Sequence, residues 1–221
     1  MFSHQEFSRL LKIELNHYLS GEKVHIDAIS TYIEQLRDVN LQEIVDDSSK
    51  KAFWLNIYNA LTNYFIIHYK VKESVLEING FFRKLTVQIG PFAFSLDDIE
   101  HGILRMNGTR RNNKPLQFLE DDPKKHLMVR SLDGRIHFAL NCGSVSCPPI
   151  AFYSTDHINR ELDIATESFE HTEFIVDHTK KTIDCSSIFS WYQDDFGEKY
   201  LNDPIYRGYE VSLREYHWTL H

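Results

Sequence analysis

Along the first third of the chain, apolar residues recur at helical spacing. Phe7, Leu10, Leu11, Ile13, Leu15 and Tyr18 fall mostly on one face of residues 5–19, which predicts an amphipathic helix closed by Gly21. Residues 25–39 repeat the pattern with Ile26, Ile29, Tyr32, Ile33 and Leu36. The next segment, KKAFWLNIYNALTNYFIIHYKV, is apolar nearly all round, so it reads as a central buried helix, with Ser48 and Ser49 as its N-caps. Beyond Gly80 the period shortens. KLTVQIG and FAFSL alternate around Gly90-Pro91 as a hairpin, and Ser95 and Asp97 are placed to cap DDIEHGILR. Residues 107–124 are polar and predict a mobile excursion. After Asp133-Gly134, RIHFALN reads as a buried strand. Ser154, Thr155 and Asp156 offer caps for a helix through about His171. FIVD and TIDC flank HTKK as a second hairpin, FSWYQDDFG suggests a short helix, and REYHWTL ends the chain.

With neither repeats nor a Gly/Ser linker, these elements predict one α+β domain over residues 1–221. In it, a helical N-terminal segment (1–47) leads into a core (48–221) in which the central helix packs on a small, mainly antiparallel sheet.

Composition narrows the function classes. At 221 residues and 42% hydrophobic, the chain can bury a substantial core. A net charge of −8 argues against nucleic acid as a partner. No stretch reaches the ~20 apolar residues of a membrane span. The opening MFSHQEFSRLLKIEL is amphipathic and charged, unlike a signal peptide, so the expected location is cytoplasmic, where thiols stay reduced.

Candidate chemistry concentrates in three stretches. In HFALNCGSVSCPP (137–149), two of the three cysteines stand five positions apart beside a histidine and an asparagine. A reactive thiol, a metal or disulfide clip, and a turned piece of core are the competing explanations. Strand alternation would put His137 and Asn141 on one face and Cys142 on the other, denying Cys142 direct help from His137. Cys147 precedes Pro148, a first-turn residue of helices, and a thiol at a helix N-terminus is acidified. Ser146, next to Cys147, is a binding candidate. The second stretch, SLDDIEHGILR, stacks Asp97, His101 and Arg105 four apart on a helix, with Glu100 or Asp98 able to orient His101 as a base; a surface ion pair explains the same spacing. In the third, Asn56 and Asn59 sit on the apolar helix, where buried amides must brace a neighbouring loop or donate to an oxyanion. The cysteines have no partner pair at zinc-like spacing and no EF-hand period occurs, so neither a metal nor a cofactor is expected. A Cys142–Cys147 disulfide is geometrically possible but disfavoured in a reducing compartment. Nucleotide-binding, zincin and hydrolase-elbow motifs are missing.

Taken in order, KAFWLNIYNALTNYFIIHY, FSLDDIEHGILR and RIHFALNCGSVSCPPI, with YSTDHINRELDIATESF, IFSWYQDDF and EYHWTL behind them, resemble the domain-of-unknown-function 547 family over residues 48–221. The residues matching that family's polar positions are Asn56, Asn59, Glu100, His101, Arg105, His137, Asn141, Cys142, Cys147 and Asp195. His217 departs from the aspartate usual in its place. Element order also bears a likeness to papain- and transglutaminase-like enzymes, although Ala52 and Phe53 occupy the place of their nucleophile.

Two functions follow as expectations. One is a cysteine-dependent hydrolase or acyl transferase acting on a peptide or small-molecule amide. Cys142 or Cys147 attacks, and His101, with Glu100 or Asp98 behind it, or alternatively His137, is the base. Asn141, Asn56 and the Gly143–Ser144 amides hold the oxyanion. The other is a non-enzymatic binding or scaffold domain in which Asn56, Asn59, His101 and Arg105 form a structural polar network. A redox or metal-responsive thiol pair is a third, weaker expectation.

Overall fold

Helix α1 (His4–Leu19) starts where the Ser3 hydroxyl accepts the Glu6 amide at 3.3 Å. Its inward face carries Phe7, Leu11 and Leu15, while Ile13 is half exposed and marks the edge of the apolar stripe. Helix α2 (Ile26–Gln35) tightens into a 3₁₀ turn at Leu36–Asp38, which drives Leu36 into the core. Helix α3 (Asp47–His68) is the axis of the molecule, buried from Lys50 through Asn63. Its cap is Asp46, whose carboxylate accepts the Ser49 amide at 2.9 Å, and not Ser48 or Ser49 as the sequence suggests. Asp47 instead holds the amides of Arg130 and Ser131. A capping carboxylate stabilises by about 1 kcal/mol. Each fully buried Trp54, Leu61 or Phe65 side chain contributes roughly 1.5–3 kcal/mol.

The computed structural model describes residues 2–108 and 116–220. The excursion expected at 107–124 falls partly outside them.

After the short helix α4 (Phe81–Lys84), strands β1 (Thr86–Ile89) and β2 (Phe92–Ser95) form the expected hairpin, with Val87 opposite Phe94. Trp54 of α3 meets Phe94 of β2, although the main partner of α3 is α1. Helix α5 (Ile158–Glu173) leads into the antiparallel pair β3 (Phe174–Asp177) and β4 (Thr182–Ser186). Helix α6 (Ser187–Trp191) follows directly. Strand β5 (Glu210–Arg214) then adds to β4 in parallel, Cys185 opposite Leu213. The architecture is α+β, and among the described residues five strands are divided between two small sheets.

Two cores result. The larger runs from Phe7 to Leu162 and includes Leu11 of α1 and Ile29 of α2, so the N-terminal helices are built into it. The smaller is aromatic and gathers Phe138, Phe169, Phe189 and Phe196 against the second sheet. The segment RIHFALN, expected as a strand, bridges them as a 3₁₀ turn, Gly134–Phe138, followed by irregular chain. Asp133 is the cause: its carboxylate accepts the Arg135 amide and its carbonyl the Ile136 amide, curling the chain before a ladder can start.

Candidate functional site

The loss of that strand overturns the alternation argument, because residues 137–142 do not point to opposite faces of a sheet. Asn59 fixes their path, its Nδ2 donating to the Ala139 carbonyl at 3.0 Å and its Oδ1 accepting the Asn141 amide at 2.8 Å. Asn141 in turn donates to the Pro148 carbonyl and accepts the Gly143 amide. Asn56 does the same for another segment, bonding both the amide and the carbonyl of Tyr153. These three amides brace loops. The Gly143 N–H and the Asn141 side chain are therefore engaged and do not form the expected oxyanion hole. Gly143 has φ +86°, and a Cβ there would stand 2.8 Å from Ile66 Cδ1, so the turn requires glycine.

This turn carries Cys142 back onto Cys147, and the two form a disulfide with Cα atoms 6.2 Å apart. The clip that a reducing compartment disfavours is thus the geometry the loop adopts. The Tyr216 hydroxyl lies 3.1 Å from Cys142 Sγ and 3.2 Å from Cys147 Sγ. Burial pushes the Tyr216 phenol up to about 12, so it remains a donor. No helix follows Pro148, since α5 begins only at Ile158, and the expected dipole at Cys147 does not exist. Ser146 accepts the His217 amide at 2.9 Å and, with Cys147, lines a separate hollow.

DIEHGIL winds as a π-helix, Asp98–Leu104, rather than as the expected α-helix, with the Arg105 amide donating to the Glu100 carbonyl. The wider turn still keeps His101 beside Arg105, whose Nη1 donates to His101 Nδ1 at 3.0 Å. A guanidinium can only donate, so a neutral His101 carries its proton on Nε2, 3.8 Å from Asp97 Oδ1. Arg105 also grips Asp195 through Nε at 2.5 Å and Nη2 at 3.0 Å. Asp195 Oδ2 meets His137 Nε2 at 2.7 Å. Burial works to raise the Asp195 carboxyl, but hydrogen bonds from His137 and Arg105 outweigh it and hold the group well below the usual carboxylate range. Burial keeps His137 neutral, its pKa below the ordinary value. An ionised Asp195 accepts the Nε2 proton, which leaves Nδ1 as the lone-pair nitrogen of His137.

Glu100 is buried beneath this pair, accepting from Tyr192 Oη at 2.6 Å and Tyr58 Oη at 3.1 Å. Burial opposes its charge, yet His101, His137 and the Tyr192 hydrogen bond carry its pKa below the ordinary value. Tyr192 stacks on His137 with ring centroids 3.6 Å apart.

Glu100, His101, His137 and Cys142 share the wall of one cavity of about 140 Å³ with Tyr192 and Tyr216. It adjoins a groove of about 620 Å³ through common wall residues, among them Phe82, His101, Trp191 and Trp218. Arg105 lines the groove, whereas Asn56, Asn59, Asn141, Ser146 and Cys147 line neither space. No motif in the sequence marks Tyr58, Tyr192 or Tyr216 for the site. Asp195 was visible only as a residue matching the family's polar positions, and WYQDD carries no spacing that ties it to His137.

The family model described as "Protein of unknown function, DUF547" matches residues 42–169. The chain belongs to that family. Neither a curated protein nor a solved structure matches it, so the papain-like likeness rests on element order alone. Among the described residues, no helix is long and apolar enough to cross a membrane.

Proposed function

We propose that the protein is a cytoplasmic, cysteine-dependent hydrolase or acyl transferase acting on a peptide or amide carbonyl, with Cys142 as nucleophile and His137 as base. The observation that carries this reading is the single cavity walled by Cys142, His137, His101 and Glu100. A dithiol reductant first opens the Cys142–Cys147 disulfide, becoming oxidised itself and leaving two thiols; a reducing cytoplasm supplies such dithiols. The Cys142 thiol then passes its proton to His137 Nδ1 while Asp195 holds the Nε2 proton. The thiolate adds to the carbonyl carbon, and the Tyr216 hydroxyl donates to the developing oxyanion. Collapse expels the amine, which takes the proton from His137 and leaves a thioester. Water or an acceptor nucleophile then releases the acyl group and regenerates the thiol. Glu100 stabilises the imidazolium that forms midway, while general-base assistance of this kind supplies about 10²–10⁴ in rate.

The test is alkylation by iodoacetamide after reduction, with adducts mapped across pH. Cys142 reacts faster than a free thiol at about pH 7, and His137→Gln and Asp195→Asn both slow it. An ordinary rate that neither substitution changes rejects the mechanism.

The groove of about 620 Å³, with Phe82, Trp191 and Trp218 in its wall, favours a second reading as a binding module for an apolar or aromatic peptide. Peptide binding that persists in oxidised protein and in Cys142→Ser, with no turnover when reduced, selects it.

A further inference from the structure

Away from the cavity, α1 and α2 meet around another buried carboxylate. Glu14, 2% exposed, lies on α1, and His17 follows one turn later. Gly21, at φ +72°, reverses the chain so that His25, just ahead of α2, returns to the same point. His17 Nδ1 stands 3.3 Å from Glu14 Oε2, and His25 Nδ1 stands 3.0 Å from Glu14 Oε1. The His25 amide donates to Oε2 at 2.8 Å. The ligand atoms of the three side chains all lie within 4.8 Å of one another.

We infer that Glu14, His17 and His25 bind a divalent transition-metal ion of the zinc type and that this ion ties α1 to α2. Two donor atoms on one tetrahedral zinc, each about 2.0–2.1 Å from the metal, are separated by roughly 3.3 Å; each Nδ1 stands 3.0–3.3 Å from a Glu14 oxygen, and the whole set spans no more than 4.8 Å. Both rings turn the same nitrogen, Nδ1, toward one carboxylate that already accepts a backbone amide. A cation among them neutralises the buried charge and uses both ring lone pairs at once. Glu22 Oε2 stands 3.9 Å from the opposite nitrogen of His17, and a small movement of this exposed side chain makes it the outer carboxylate that orients a zinc-bound imidazole. Two imidazoles and one carboxylate suit zinc and its neighbours better than calcium or magnesium. The His25 side chain is 58% exposed, so the fourth coordination position faces solvent and takes water. The site lies outside residues 42–169, in the helices that precede the family-matched segment.

The test uses the full chain, oxidised so that Cys142 and Cys147 remain paired, stripped with EDTA and titrated with zinc chloride in a calorimeter. One equivalent binds with micromolar or tighter affinity and raises the Tm. His25→Ala weakens that binding by about 100-fold or more, and Glu22→Gln by about 10-fold, as loss of an outer-shell partner does. Should Glu14→Gln fail to fold, His17→Ala and His25→Ala decide the matter, because both rings are partly exposed. Absence of stoichiometric uptake, or uptake unchanged in His25→Ala, overturns the inference.

Discussion

Glu14 and Glu100 are both buried carboxylates, and the fold surrounds them differently. Glu100 receives two phenol hydroxyls from Tyr58 and Tyr192, and those groups stay protonated because burial beside a carboxylate raises their own pKa. Glu14 receives two imidazoles, whose Nδ1 atoms carry a lone pair in one of the two neutral tautomers. A carboxylate among phenols is a fixed negative charge that shapes the potential around His101 and His137. A carboxylate among imidazoles is a set of ligands. Burial alone therefore does not decide what a charged side chain does, since its donors do.

The largest test of this contrast is Arg105→Ala, which leaves Asp195 buried with half its partners and costs about 3–5 kcal/mol in urea denaturation. A loss below about 1 kcal/mol shows that His137 alone can hold Asp195 and that the guanidinium is dispensable. Tyr192→Phe removes the 2.6 Å bond to Glu100 and costs about 1.5–3 kcal/mol, while raising the Glu100 pKa. His25→Ala in EDTA-treated protein costs about 1 kcal/mol or less, because the ring is largely exposed; a loss as large as that of Tyr192→Phe breaks the contrast.

The smallest effect is in the pH profile. The pKa of His137 is lowered, so the unfolded chain protonates first, and the stability it lends is complete above about pH 6.5 and declines as pH falls toward its folded value. Glu14 and Glu100 also have lowered pKa values, so their contributions hold above about pH 4.5 and fade below it. Urea midpoints between pH 4 and 8 therefore fall in two stages. His137→Gln flattens the upper stage without erasing it, since burial lowers His4 as well. Tyr192→Phe flattens the lower one.

The three long N-terminal helices and both hairpins were legible in the chain, because the periods of 3.6 and 2 that define them are local. The buried standing of α3 followed from its all-round apolarity. Cap identity was missed because Asp46, Ser48 and Ser49 are all competent acceptors, and only the path of residues 130–131 assigns Asp47 elsewhere. The strand expected at 135–141 has the right apolar run but meets no partner strand among the described residues, and Asp133 curls it first. Of the candidate site, Glu100, His101, His137 and Cys142 were named from sequence and share one cavity wall, while Tyr192 and Tyr216 carried no signal in their own neighbourhood.

With RIHFALN as the exception, local pattern was enough to tell coiling from extended segments and inward from outward faces, because those choices are settled within a few residues by sterics and the burial of apolar surface. Whereas Cys142–Cys147 and His101–Arg105 each lie within five residues of chain, tertiary packing set the long-range pairings: Arg105 with Asp195 across 90 residues, Cys142 with Tyr216 across 74, and β5 laid parallel on β4. Such contacts depend on where whole elements pack, and a hydrogen bond or ion pair acts only within a few ångströms. No local pattern in the chain encodes that distance.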